Sequence, residues 1–402
     1  MGSVAPRRSP ESGLQRHLVT QRYANLAAAW QTRGLLGGMS KLTPTEGFMR
    51  RAVFSLVMAL TIAAACSPER VAVPGTPRFS TGNPVNLGSK EPYTLAVVGD
   101  MPYGPQKLDS LPLLIDLINQ DPKVDLVAHL GDIKAGSNSP CTNEYMDSIR
   151  VLFDLFKDPF VYTPGDNEWT DCHVGSKNNG LYTPTERLEF VRQLFFPVAG
   201  QTLGGRKKQV LTEADDPANS HYVENALWME SQVVFATLNI PGSNDDKASW
   251  GSTLPPDAGN YPSQATERDT RKRANLAWLD KAFTLATDNN AAGVVLLLQA
   301  DMWDTTSALS GFDTVVVRIG DLAAAFGKPV LLLEGDSHIF SVDSPYSPSS
   351  PLYSKHPGTP VAENVTRIVV EGDGNRTEYL RLTFDPQNKG GQLFSYERVP
   401  LQ

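Results

Sequence analysis

From Tyr93 onward the sequence predicts an α/β domain whose parallel strands gather acidic side chains at one edge, and three observations carry that prediction. Four short apolar runs each close on Gly-Asp: YTLAVVGD to Asp100, LVAHLGD to Asp132, FVYTPGD to Asp166 and VLLLEGD to Asp336. The runs are rich in Val, Leu and aromatic residues, as buried strands are. Helical segments separate the first three, and strand–helix alternation sets successive strands parallel in one sheet.

The chain ahead of the domain reads differently. Residues 49–66 run MRRAVFSLVMALTIAAAC: two arginines, an apolar run from Ala52 to Ala65, then Cys66 after three alanines. That is the layout of a signal peptide. The apolar run is shorter than the about 20 residues a spanning helix needs. Its end resembles a bacterial lipobox, with Ala63 where leucine is commonest, so Cys66 is the expected site of lipid attachment; an ordinary cleaved signal and a short buried helix are the alternatives. Residues 1–48 have no place in an exported product, being either a discarded extension or sequence ahead of a true start at Met49. Residues 67–92 are rich in Pro, Gly and Ser without a period, and read as a tether. The domain is then 93–402, exported to the periplasm or cell envelope and held at the membrane only through its N-terminal lipid.

Within the domain, helices are expected near Leu108–Gln120, Glu144–Phe156 and Thr185–Phe196. Further strands fall at Val233–Ile240, Gly293–Gln299, Val365–Glu371 and Tyr379–Asp385. A long helix at Glu267–Thr287 places Leu276, Leu279 and Phe283 at packing positions. Two more Gly-Asp pairs read as ordinary structure: Gly320-Asp321 within a helix and Gly372-Asp373 in a hairpin loop. Segments 240–264 and 341–361 read as surface loops. In parallel sheets, ligand sites form at the carboxyl ends of the strands, where a glycine lets the backbone turn tightly.

A chain of 402 residues, 41% hydrophobic and 20% charged, can bury a sizeable core. Its net charge of −8 argues against a nucleic-acid backbone as partner. The sequence leaves oligomeric state open. The sequence holds 6 histidines in all, which limits the kind of metal site it can build.

The blocks GD at Asp100, HLGD, GDNE and EGDSH, in this order, resemble the calcineurin-like metallophosphoesterases. The resemblance implies an αββα sandwich of two mixed sheets holding two metal ions at the strand ends. Carried over position by position, Asp100 matches the first aspartate, with Pro102 where the family has a histidine; Tyr103 beside it either reaches inward or packs. Asp132 matches the bridging aspartate. Asp166 stands for the family's asparagine ligand, Asn167 for its catalytic histidine, Gln299 for its fourth-block histidine and Asp336 for the first histidine of the last block, while His338 keeps the second. The implied sites are Asp100, Asp132 and His338, and Asp132, Asp166, Gln299 and Asp336. An oxygen-rich set favours Mn²⁺ or Mg²⁺, one ion or two, with Ca²⁺, Fe and Zn²⁺ also admitted.

The implied reaction is hydrolysis of a small phosphate monoester or diester by a metal-activated water. Asn167 is placed to donate to a phosphoryl oxygen, and His173 is the candidate proton donor, its alternative being a solvent-facing loop residue. His129, within a strand, reads as structural. A serine hydrolase would need a nucleophile turn such as G-x-S-x-G, and no strand end carries one. The non-enzyme alternative is a lipoprotein with a weakened site that binds a ligand or partner. Cys141 and Cys172, the cysteines left after processing, form an even pair in an exported domain and are expected as a disulfide rather than as metal thiolates.

Overall fold

The structure is a computed structural model, and it describes residues 87–178, 180–373 and 377–401. The signal segment, Cys66 and most of the tether lie outside the described residues.

Two sheets form the centre. The first holds β1 (Tyr93–Val98), β2 (Leu126–His129) and β3 (Phe160–Tyr162), all parallel, with β11 (Glu378–Phe384) antiparallel to β1 and β12 (Phe394–Pro400) at its edge. The second runs in the order β4 (Leu211–Thr212), β5 (Ala226–Glu230), β6 (Val233–Thr237), β7 (Gly293–Leu297), β8 (Val330–Glu334), β10 (Val365–Val369), β9 (Ser341–Asp343). Its middle strands β6, β7, β8 and β10 are parallel, while both edges are antiparallel. Both sheets are therefore mixed.

Strand alternation explains how they stack. In β1, Leu95 and Val97 face Phe235, Val295, Leu297, Leu331 and Leu333 of the second sheet in one buried cluster. Ala96 and Val98 point the other way, onto the outer helices α1 (Gly104–Gln120), α2 (Asn143–Phe153) and α3 (Pro184–Phe195). The outer face of the second sheet is covered by α4 (Gln264–Asp288) and α5 (Asp313–Phe326) through Trp278, Leu279, Phe283, Val316 and Ile319. This is the αββα order that the family resemblance implied.

Local signals account for the helix starts. Thr142 and Ser263 cap α2 and α4 by accepting from Tyr145 and Thr266 backbone N–H groups, and Pro105 and Pro184 occupy first-turn positions of α1 and α3. Gly320-Asp321 lies within α5, as its helical pattern has it.

Three expectations need correction. Gly372-Asp373 closes no hairpin; it crosses from β10 in one sheet to β11 in the other. Segment 240–264 is not simply a surface loop, since Asp245, Asp246 and Trp250 are buried. Segment 341–361 contributes β9 and buries Tyr346 and His356. In each case a polar, Pro- and Gly-rich composition concealed side chains whose partners lie far away in sequence.

Candidate metal centre

Each of the four strand ends turns sharply on its Gly-Asp pair, and the turn brings the carboxylate over the sheet edge. Asp100, Asp132 and Asp336 have φ of 52°, 57° and 70°, and His338 has 63°. These are left-handed values that non-glycine residues adopt rarely and that cluster at functional sites. The preceding glycines leave the necessary room. A Cβ on Gly335 would lie 2.4 Å from Asp100 Oδ2, and one on Gly165 2.1 Å from Asp132 Oδ1.

The outcome is a convergence of five of the six expected ligands. Asp100, Asp132 and His338 offer ligand atoms within 4.8 Å of one another, and so do Asp132, Asp166 and Asp336. Asp132 belongs to both groups. Asp336 comes from the second sheet, so the parallel strands of both sheets open at the same edge. Asp100 Oδ2 and Asp166 Oδ1 are buried without a hydrogen-bond donor, an expensive state for a carboxylate that a cation relieves. Burial raises the carboxyl pKa of Asp100, Asp132 and Asp336 well above the usual range, with neighbouring carboxylates adding to it. Asp166 is raised to about 7, first by burial and then by Asp171. The residues present thus fit hard divalent ions: oxygen-rich, mutually repelling and deprived of donors.

Gln299 sits at the floor of the cluster, but its Oε1 accepts from Gly242 N–H at 2.5 Å. That bond engages one lone pair of the amide oxygen and fixes the approach of residue 242, while the side chain also contacts the Asp336 carboxylate. Pro102 offers no ligand atom. Tyr103 beside it does reach inward, its hydroxyl donating to Asp132 Oδ2 at 2.8 Å and its ring meeting His338 edge-on at 5.3 Å.

Asn167 holds Asp132 through two bonds and Tyr103 through a third. Its N–H donates to Asp132 Oδ1 (3.1 Å), and its Nδ2 donates to Asp132 Oδ2 (2.6 Å) and to Tyr103 Oη (2.9 Å). Both amide hydrogens are thereby used within the protein. His173 is half-buried on a short 3₁₀ turn, Thr170–His173, with Nδ1 bonded to Thr170 O at 2.7 Å. His129 is buried, bonded through Nε2 to Met101 O and through Nδ1 to Gly131 N–H, with its pKa lowered to about 4 by burial; it shapes the turns that carry Asp100 and Asp132. Gly372-Asp373, read as a remote turn, lies on the site, with Asp373 N–H on Asp100 O and Gly372 N–H on His338 O.

Residues the sequence reading passed over complete the surround. The helical segment Gly242–Asp246 is wound left-handed, with positive φ at Ser243, Asn244, Asp245 and Asp246. Ser243 Oγ donates to Asp166 Oδ2 at 2.7 Å and to Asp171 Oδ1 at 3.1 Å. Buried Arg271 holds the turn through Asp245 at 2.5 Å and Glu267 at 3.0 Å. Glu168 Oε1 accepts from Tyr162 Oη at 2.5 Å and from Gly165 N–H at 2.7 Å, bracing the turn before Asp166. Cys141 and Cys172 are bridged as expected, with Cα atoms 5.9 Å apart.

Residues 93–273 match the family model of the calcineurin-like phosphoesterases. No curated protein sequence matches the chain. Among solved structures, the chain is similar to GAP50, the anchor in the inner membrane complex of Plasmodium, at 8% identity and a TM-score of 0.38, covering 77% of this chain and 89% of that one. It is also similar to a 5'-nucleotidase from Candida albicans at 9% identity and a TM-score of 0.38, covering 77% of this chain and 51% of that one.

Proposed function

Because residues 93–273 form a calcineurin-like phosphoesterase domain, we propose that this protein hydrolyses a small phosphate monoester or diester with one or two hard divalent ions, Mn²⁺ or Mg²⁺ by preference. The observation that carries the reading is the pair of ligand groups sharing Asp132, assembled from segments of both sheets. Asp100, Asp132 and His338 would hold one ion, and Asp132, Asp166 and Asp336 the other. Such ions would activate a water and offset the negative charge that builds on the attacking and leaving oxygens during in-line displacement. The chain's own residues supply orientation: Asn167 and Tyr103 fix both oxygens of Asp132, while Ser243 fixes Asp166.

The test is turnover of bis(p-nitrophenyl) phosphate by purified protein loaded with Mn²⁺, alongside Asp132→Ala. Turnover that needs metal and disappears in the variant supports the reading; Mn²⁺ binding without turnover favours the binding-protein alternative.

The signal layout of residues 49–66 supports export and lipid attachment at Cys66, which would hold the domain at the cell envelope. Membrane fractionation with mass spectrometry of the mature N-terminus checks this. A soluble product beginning beyond Cys66 refutes the lipid and leaves export standing.

A further inference from the structure

Lys134 is a lysine with no exposed surface, two residues beyond Asp132. Its ammonium donates to Asn167 O at 2.8 Å, Ala135 O at 2.7 Å and Asn178 Oδ1 at 3.1 Å. All three acceptors are uncharged, so the buried cation is held by oriented dipoles rather than by a bonded carboxylate. Burying an ammonium in this way is costly, and one of the three groups it binds is the main chain of the residue that grips Asp132.

The disulfide converges on the same atom. Cys172 Sγ lies 3.7 Å and Cys141 Sγ 3.9 Å from Asn167 O. The bridge joins the Lys134 loop to the 3₁₀ turn that follows Asn167, the two cysteines being 31 positions apart. Asn178 completes the link, accepting from Lys134 while its Nδ2 donates to Asp171 O at 2.8 Å and Val174 O at 3.0 Å. Cys141 N–H donates to Asn178 O at 3.1 Å. Behind Asn167 there is thus one buried assembly: an ammonium, a disulfide and an asparagine bridging two loops. In front of it, the Asn167 N–H and Nδ2 face Asp132.

We infer that Lys134 and the Cys141–Cys172 bridge are positioning elements for Asn167, and that through it they set the orientation of Asp132 in the metal centre. The inference deepens the phosphoesterase reading and rests on it for its catalytic consequence. Neither element touches substrate; both act by holding the Asn167 carbonyl so that its amide groups meet Asp132. Partners that orient a metal ligand from behind change affinity or activity by about 10–100-fold when removed.

Two readouts separate this inference from the activity it serves. Hydrogen exchange of the 163–173 segment in metal-free protein reports positioning whether or not the protein is an enzyme. Turnover of bis(p-nitrophenyl) phosphate with Mn²⁺ reports the consequence. Lys134→Met, and wild type reduced with a phosphine, should each speed exchange in this segment and lower kcat by about 10–100-fold, with little change in KM. In an Asn167→Ala background, which keeps the backbone N–H on Asp132 but loses both side-chain bonds, the Lys134→Met change should cost less than in wild type, because the side-chain part of its effect is already gone. Should Lys134→Met fail to fold, the reduced wild type decides by itself. Unchanged exchange and turnover on reduction, or full additivity of Lys134→Met with Asn167→Ala, overturns the inference. Faster exchange in a wild type that shows no turnover at all would instead count against the phosphoesterase reading and leave the positioning role intact.

Discussion

Gly242 packs against the carboxylates of both Asp336 and Asp166, and Gly242→Ala tests the site without replacing a ligand. Its backbone is open to alanine, since its φ is not among the positive values, so the effect is purely steric. The new Cβ would lie 2.7 Å and 2.8 Å from the two carboxylate oxygens of Asp336 and 2.9 Å from Asp166 Oδ1. Ordinary contact begins at 3.4 Å, so these oxygens must retreat by about 0.5–0.7 Å, while metal–ligand distances hold within about 0.2 Å. Asp166 and Asp336 cannot both keep their places. Affinity for the ion they share should fall by about 10–100-fold, the range seen when a ligand is misoriented. Calorimetric titration with Mn²⁺ reads this, with thermal melts confirming that the fold survives. Gly259→Ala is the matched control, because nothing lies within 4 Å of its Cβ position. Unaltered Mn²⁺ affinity in Gly242→Ala would mean that Asp166 and Asp336 are not joint ligands, and the second site would be abandoned.

Two further outcomes follow from burial and charge. Asp166 is raised to about 7 in the metal-free fold, so the folded state holds a proton that the unfolded state releases near pH 4. Metal-free stability should therefore be greatest near pH 4 and fall as pH rises to about 7, by on the order of 4 kcal/mol for this one carboxyl; Mn²⁺ should restore it above pH 7, and melts that rise with pH in chelator would contradict the burial argument. Arg271→Met leaves Glu267 buried without its bonded cation and Asp245 with Lys272 alone, which should cost about 3–5 kcal/mol in urea denaturation, and a change below about 1 kcal/mol would show that the left-handed turn is not held by this arginine.

Most of the layered fold was legible because its signals are local. Apolar runs ending in Gly-Asp marked β1, β2, β3 and β8, and helix starts carried Thr, Ser or Pro where capping needs them. Strands β4, β9 and β12 escaped because β4 and β9 span only a few residues and β12 is largely exposed, so no apolar run announces them, while β5 went unread although ALWME is largely apolar. The ligands were legible for the same reason as the strands that carry them. Their supports were not. No local pattern singles out Lys134, which is buried only because Asn167 and Asn178 close over it, and segment 240–264 reads as a surface loop until Arg271 reaches back to bury Asp245. Such residues take their roles from partners 26 to 44 positions away, a range over which composition carries no signal.

The left-handed ligand positions suggest a last test, because they separate what the fold needs from what the site needs. A strand continued straight through Gly-Asp would send its carboxylate to a sheet face; reversing at the aspartate throws it over the edge instead. A left-handed non-glycine residue costs about 1–2 kcal/mol, somewhat less for aspartate, and each buried carboxylate adds repulsion from its neighbours. Glycine at such a position relieves both burdens, though it makes the unfolded chain more flexible by about 1 kcal/mol. Asp336 has φ 70° and a pKa raised by burial and then by Asp166, so Asp336→Gly should leave the metal-free protein as stable as wild type or more so at pH 8. The same change removes a ligand and should abolish the Mn²⁺-dependent rise in melting temperature that depends on Asp166. Lower metal-free stability at pH 8 in Asp336→Gly would mean that this aspartate serves the fold rather than the ion.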